Sequence, residues 1–339
     1  MTENQEPLLE VRGIKKHYPV RGGFGRRNPV RAVDGVSFSI PAATTFGLVG
    51  ESGCGKSTTG RLVLGLERLT EGEVRFEGAD VGSLGGAGLK ELRRRAQIVF
   101  QDPYSSLNPR LKVEEIIGEP FRVHRVGLGR EVPARVRELL EQVGLPPESA
   151  HRFPHEFSGG QRQRIVIARA IALRPRLVVC DEPLSALDVS VQSQIINLFR
   201  DLQRELKLAY LFISHDLSVV RHLSDQVAVM YLGRLVELGT AEDVFADPLH
   251  PYTQVLLSAI PVADPTLQRT RRRLPMHGDL PNPQAPPPGC PFHPRCPYAV
   301  ERCTVEIPEW RQVRAGHWAA CHLAPVGQPD TVRVHEELE

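Results

Sequence analysis

The sequence predicts an α/β domain built around a phosphate-binding loop, on three observations. Gly50-Glu51-Ser52-Gly53-Cys54-Gly55-Lys56-Ser57 has the spacing G-x-x-x-x-G-K-S, after an apolar run from Thr45 to Val49 and before a segment that can begin a helix. Downstream, the apolar runs Leu177 to Cys180 and Ala209 to Ile213 suit buried parallel strands, and they alternate with helical periodicity over Gly160 to Leu173 and Val189 to Leu206. Upstream, short apolar runs at Leu8 to Val11 and Val36 to Ile40, separated by turn residues, read as an antiparallel sheet leading into the loop. The expected fold is a mixed sheet with a parallel core, preceded by an antiparallel N-terminal sheet.

The remaining elements follow in order. Gly22 to Asn28 reads as an exposed hairpin tip. From Val74 to Phe100 the pattern is strand, polar loop, helix over Leu89 to Arg95, and a strand ending at Phe100. Glu131 to Val143 carries helical periodicity, stopped by Gly144 and Pro146-Pro147, and Pro175 ends the helix after it. Val227 to Tyr231 and Leu235 to Leu238 make a hairpin around Gly233. After about Leu249 the composition shifts. His250 to Ile260 suits one more helix, and eight prolines fall between Pro281 and Pro297, the mark of a linker and a small appended module.

Composition bounds the function. With 339 residues, 41% hydrophobic and 24% charged, the chain has a globular balance and room for a domain plus an appendage. A net charge of +2 gives no ground for a nucleic-acid surface. Arg93-Arg94-Arg95 and Arg271-Arg272-Arg273 read as solvated faces or linker. No run of roughly 18 apolar residues exists to span a bilayer, and Met1 to Pro7 lacks the layout of a secretion signal. The expected compartment is the cytosol, where the six cysteines stay out of structural disulfides.

The loop's glycines let successive backbone N–H groups face a polyphosphate at a helix N-terminus. The expected binding set is Gly50, Ser52, Gly53, Cys54, Gly55, Lys56, Ser57 and Thr58, with Lys56 reaching the β- and γ-phosphates of ATP or GTP and Ser57 ligating Mg²⁺. Leu177 to Cys180 delivers Asp181 and Glu182 to the strand's C-terminal end, the edge where α/β sheets bind ligands. Asp181 suits the cation, and Glu182 suits a base that polarises water for in-line attack.

Phe157-Ser158-Gly159-Gly160-Gln161 opens the helix that runs to Leu173. With it, the order of motifs over roughly residues 8 to 240 resembles the ATP-binding cassette of ABC transporters. The resemblance implies an ATPase, with Ser158, Gly159, Gly160 and Gln161 as the signature loop, and Phe157 standing where Leu is commoner. It implies Gln101 as the glutamine-loop residue beside metal or attacking water, and Ser185 to Asp188 as the dimer loop. It also implies His215 as the switch histidine on the γ-phosphate, and Tyr18 as the adenine-stacking aromatic. The signature loop of one subunit would complete the ATP site of another, in a head-to-tail dimer of identical or paralogous chains.

Gln101-Asp102-Pro103-Tyr104-Ser105-Ser106-Leu107-Asn108-Pro109, His155-Glu156-Phe157, His250-Pro251-Tyr252-Thr253 and the cysteine-containing tail together resemble the ATPase subunits of oligopeptide and dipeptide importers, a pattern that nickel importers share in part. The implied domains are an ABC cassette over 1–249, with a helical signature subdomain at roughly 102–174, and a C-terminal extension over 250–339. The implied partners are a second ATPase subunit, two membrane-spanning permease subunits and an extracytoplasmic peptide-binding protein, with no nucleic acid. The implied place is the cytoplasmic face of the membrane. A soluble ABC ATPase acting on nucleic acid or ribosomes is the contrasting class, although the second cassette or coiled-coil insertion usual there is missing.

Cys290, Cys296, Cys303 and Cys321 fall within 32 residues. Thiolates at this density suit Zn²⁺ or an iron–sulfur cluster. The importer resemblance favours [4Fe-4S], as a staple for the proline-rich tail, with Zn²⁺ and unliganded thiols as the alternatives. Cys54 and Cys180 read as small fillers.

Overall fold

The computed structural model describes residues 6–19, 28–127, 129, 131–260, 274, 276, 278–279 and 281–324. Apart from Asn28, the expected hairpin tip at Gly22 to Asn28 lies outside them, as does Arg271-Arg272-Arg273.

Strands β1 (Leu9–Tyr18), β2 (Val30–Ile40), β4 (Glu71–Phe76) and β5 (Ala79–Asp80) form an antiparallel sheet in the order β2-β1-β4-β5. The second sheet runs β11-β12-β10-β9-β3-β8-β7-β6, its antiparallel end made of β10 (Arg234–Thr240), β11 (Arg311–Arg314) and β12 (His317–Ala319). Its parallel part comprises β3 (Thr45–Val49), β6 (Ala96–Val99), β7 (Leu177–Asp181), β8 (Ala209–Ser214) and β9 (Gln226–Tyr231). These strands read as unbroken apolar runs because both faces are buried. Val179, Leu211, Ile213 and Met230 point into one core with Leu9, Val11, Phe38 and Val74 of the antiparallel sheet. Val178, Tyr210, Phe212 and Val229 alternate to the other face, against Ile165, Ile167, Leu198 and Phe199.

Helix α1 (Lys56–Val63) follows the phosphate loop, and α2 (Gly86–Arg95) leads into β6. A helical layer of α3 (Pro103–Ser106), α4 (Val113–His124), α5 (Glu131–Gln142) and α6 (Gly159–Ile171) fills the interval before β7, and α7 (Val189–Leu206) joins β7 to β8. Sequence periodicity does not reveal α4, because Pro120 inside it is a breaker signal. Tertiary burial of Val113, Ile116, Ile117 and Phe121 decides the matter, and Glu115 closes the first turn by accepting from Lys112 N–H at 2.8 Å. The short α8 (Leu217–Leu223) and α9 (Ala241–Ala246) are similarly silent in the sequence.

Past Leu249 the chain rejoins the cassette. Helix α10 (Pro251–Ser258) is buried along most of its length. Strand β12 (His317–Ala319) pairs antiparallel with β10 (Arg234–Thr240), and β11 (Arg311–Arg314) adds the outer edge. The appended module therefore extends the main sheet.

His250 caps α10 by accepting from Tyr252 N–H at Nδ1, 3.0 Å away. Burial pushes its pKa down to about 3. The unfolded chain then takes up a proton near pH 6.5 that the folded chain refuses, so stability falls as pH drops from about 6.5 towards about 3. His250→Asn keeps an acceptor at the cap, and the acid side of a denaturation-versus-pH curve is expected to flatten by up to about 1.4 kcal/mol per pH unit. An unchanged slope would assign the acid sensitivity elsewhere.

Candidate nucleotide site

The phosphate loop takes its shape from three glycines in the left-handed region: Gly50 at φ 153°, Gly53 at 80° and Gly55 at 111°. A Cβ on Gly50 would stand 2.2 Å from the Met230 carbonyl oxygen, and one on Gly55 would stand 2.1 Å from that of Ala32. Both sites exclude any other residue on space as well as on φ. Cys54 packs against Gly50, and burial lifts its thiol to about 11, a neutral filler as expected. Burial likewise raises the Cys180 thiol, in β7.

Lys56 begins α1 almost wholly buried, its Nζ donating to the carbonyls of Gly50 at 2.8 Å and Glu51 at 3.0 Å. The same Nζ lies 3.6 Å from Glu182 Oε1. Next to it, Ser57 Oγ donates to Asp181 Oδ1 at 2.7 Å. Burial pushes the Asp181 carboxyl above the usual carboxylate range, with the Ser57 hydrogen bond opposing it. A hydroxyl and a carboxylate meeting at the head of a phosphate loop are hard oxygens that suit Mg²⁺, which would supply Lewis-acid stabilisation there.

Glu182 is the hub. Its Oε2 accepts from Gln101 Nε2 at 3.0 Å and lies 3.3 Å from His215 Nδ1. Gln101 follows β6, Glu182 follows β7 and His215 follows β8, so three successive parallel strands, with β7 in the middle, deliver them to one sheet edge. The Glu182 backbone sits at φ 48°, in the left-handed region that a non-glycine residue occupies at a cost of about 1–2 kcal/mol. Its N–H donates to Ile213 O at 3.0 Å and so ties the strained residue to β8. Backbone strain of this kind clusters at functional sites. Gln101 stands with Glu182, and no contact among the described residues joins it to Ser57 or Asp181.

Tyr18, at the end of β1, is half-buried and donates to Glu67 in a short contact, with Thr58 beside its hydroxyl and Lys16 Nζ 5.0 Å from its ring centre. It thus stands next to the first turn of α1. Ser158 caps α6 in a reciprocal box, accepting from Gln161 N–H at 3.3 Å while its own N–H donates to Gln161 Oε1 at 3.0 Å. Gly160 leaves room for Val191, whose Cγ1 would be 2.4 Å from a Cβ there. No hydrogen bond or ion pair among the described residues links the segment Ser158 to Gln161 with the Gly50 to Ser57 loop. Asp188, at the start of α7, is exposed with Val189.

Sequence reasoning overlooked the partners of Glu51. Its N–H donates to the Tyr252 hydroxyl and its carboxylate pairs with Arg295. Tyr252 lay in the His-Pro-Tyr-Thr motif with no role attached, and Arg295 carried no local signal.

At the tail, burial lifts the thiols of Cys290 to about 11 and Cys296 to about 12, and also raises that of Cys321, each with upward contributions from neighbouring thiols. Cys290 N–H donates to Cys303 O at 2.9 Å. The four are thus gathered, and all are free. The expected [4Fe-4S] or Zn²⁺ ligand set at Cys290, Cys296, Cys303 and Cys321 is nevertheless not supported. Among the described residues, no group of three or more His, Cys, Asp or Glu side chains is placed to hold a metal ion.

Fold and site together define an ATPase of the ABC class. The ABC transporter family model matches residues 33–185, and that of the oligopeptide/dipeptide transporter C-terminal region matches 236–303. The chain is 53% identical over 323 residues to the oligopeptide transport ATP-binding protein AppF of Bacillus subtilis, covering 94% of this chain and 98% of that one. It is 50% identical over 320 residues to the putative oligopeptide transport ATP-binding protein YkfD of the same organism, covering 94% and 95%. Among solved structures, cbiO1 of Clostridium perfringens, part of the ABC transporter complex cbiONQ, superposes with a TM-score of 0.62 at 27% identity, over 72% of this chain and 92% of that one. The ATP-binding cassette MJ0796, a dimer bound to ADP and Pi in a post-hydrolysis state, gives 0.61 at 28%, over 69% and 98%. The chain belongs to the family of oligopeptide/dipeptide ABC transporter ATP-binding subunits. The class acting on nucleic acid or ribosomes is not favoured.

Proposed function

We propose that this chain hydrolyses ATP to energise uptake of oligopeptides or dipeptides through separate permease subunits, working as one of two paired cassettes. The observation that carries the reading is Glu182, held between Lys56, Gln101 and His215 at the edge of the parallel sheet. In this reading Gly50 to Thr58 cradle the phosphates, Ser57 and Asp181 hold Mg²⁺, and Tyr18 stacks on the adenine. Glu182 takes the proton of the attacking water, Gln101 and His215 orient around it, and the Ser158 to Gln161 loop and Asp188 act on the ATP of the paired subunit. Family membership supports dimerisation and permease partners. Among the described residues no helix is long and apolar enough to cross a membrane, so a membrane path would come from other polypeptides.

Phe100 and Tyr104 are exposed on either side of Gln101 and Asp102, and Arg162 stacks 3.9 Å from the Tyr104 ring centre. A shaped apolar surface next to the reacting carboxylate suits a permease contact at the cytoplasmic face. Reconstituting the chain with permease subunits and a peptide-binding protein of a peptide importer tests the proposal. Peptide accumulation that needs ATP supports it, and accumulation without hydrolysis would overturn it.

At the cysteines, the finer reading of a [4Fe-4S] cluster, or Zn²⁺, rests on the gathering of four thiols and lacks a ligand geometry. Anaerobically purified protein is expected to be brown, with stoichiometric iron and sulfide. Colourless protein with zinc would replace the cluster by Zn²⁺, and metal-free protein would remove both.

A further inference from the structure

The C-terminal region touches the phosphate loop at Glu51. The residue's N–H donates to Tyr252 Oη at 2.9 Å, its Oε2 accepts from Arg295 Nη1 at 2.9 Å, and its carbonyl accepts from Lys56 Nζ at 3.0 Å. Tyr252 is fully buried on α10, 4.8 Å from the Tyr231 ring centre and 5.3 Å from that of Phe292. Arg295 ends the 3-10 turn His293–Arg295, with only 7% of its side chain exposed. Its guanidinium lies 6.0 Å from the Tyr231 ring centre. A buried aromatic wedge thus aims a hydroxyl and a cation at the second residue of the loop.

We propose that Tyr252 and Arg295 are positioning residues for ATP binding. They pin Glu51, and through it the loop backbone whose carbonyls hold Lys56, so that the loop's donors are arranged before phosphate arrives. The physical need is specific. A loop with three left-handed glycines has many conformations to lose, and ordering it during binding would be subtracted from affinity. Among the described residues the Arg295 to Glu51 contact is a single hydrogen bond, with Glu51 Oε1 and Arg295 Nε left without hydrogen-bond partners. The turn carrying Arg295 is bracketed by Cys290 and Cys296, through His293 N–H to Cys290 O at 3.0 Å and Cys296 N–H to His293 O at 3.3 Å. These backbone bonds hold the turn from which Arg295 reaches Glu51.

The proposal rests on the reading of Gly50 to Ser57 as the phosphate site, and the test separates the two. Equilibrium binding of Mg·ATP is measured on the full-length chain and on Arg295→Met, Arg295→Lys, Tyr252→Phe, Glu51→Gln and the Arg295→Met/Glu51→Gln double variant, with Lys56→Ala as control. Arg295→Met is expected to raise Kd about tenfold, and Tyr252→Phe, which keeps the ring, about threefold to tenfold. Arg295→Lys should recover part of the loss, and the double variant should lose less than the two single variants combined, because no unpaired carboxylate is left buried. If Arg295→Met and Tyr252→Phe fold and bind with the parental Kd while Lys56→Ala fails to bind, the proposal falls and the loop reading stands. A lowered melting temperature with Kd unchanged would likewise overturn it, leaving a structural staple. If Lys56→Ala binds as well as the parent, the loop reading falls, and the proposal with it.

Discussion

Glu182→Gln is expected to cut ATP turnover by about 10²–10⁴-fold while leaving nucleotide affinity close to that of the parent. The amide matches the carboxylate in size and keeps an oxygen towards Gln101 and His215, which lie 3.0 Å and 3.3 Å from Glu182 Oε2. It cannot accept a proton from water. In the proposed reading binding rests instead on Lys56, the loop N–H groups and Ser57, none of which the substitution removes. Lys56 loses a negative neighbour 3.6 Å away and keeps its two carbonyl partners. With hydrolysis blocked, the variant should gather as an ATP-bound dimer, since ATP at the interface would stabilise the closed pair. Single-turnover hydrolysis and equilibrium binding, with size measured by light scattering, check each part. A parental hydrolysis rate would remove Glu182 from the base role.

Glu237→Gln is expected to destabilise the chain by about 3–5 kcal/mol. Glu237 is fully buried in β10, with Oε1 accepting from Leu249 N–H at 2.8 Å and facing His317 Nε2 at 2.8 Å, while Oε2 accepts from His250 N–H at 2.9 Å. One carboxylate thus joins the cassette sheet, the start of α10 and strand β12. An amide at that place turns an NH₂ group towards backbone donors and leaves buried polar groups without partners. Both tryptophans of the chain, Trp310 and Trp318, lie in the module, stacked at 6.3 Å between ring centres. Denaturant titration followed by tryptophan fluorescence should show the module melting earlier in the variant. A midpoint equal to the parent's would mean that sheet pairing alone holds the module.

The elements that reach the candidate site were mostly legible, for a local reason. Thr45–Val49, the glycine loop and the start of α1 are contiguous, and so are β7 and Asp181-Glu182, so spacing alone carries the chemistry. Helix α7 was legible over its full length because eighteen residues without Pro or Gly keep one apolar face. Helix α4 was not, since Pro120 argues against it locally and only burial of Ile116, Ile117 and Phe121 outweighs that. The pairing of the appended module with β10 was not legible, because Pro-rich composition says nothing about which edge strand a later segment will meet. The metal expectation at Cys290, Cys296, Cys303 and Cys321 is left without support for a related reason: density along the chain gathers thiols, and among the described residues no ligand geometry accompanies it.

By itself the sequence determined the Gly50 to Ser57 pattern, the acidic pair at a strand end, the Ser158 to Gln161 pattern and the family these imply, because each is a short pattern whose chemistry depends on near neighbours. Tertiary structure alone decided that Glu182 faces Lys56, Gln101 and His215, and that Tyr252 and Arg295 close on Glu51 across separations of 201 and 244 residues. Contacts over such distances arise from how sheets and helices pack, and packing leaves no periodic trace in the segments it joins.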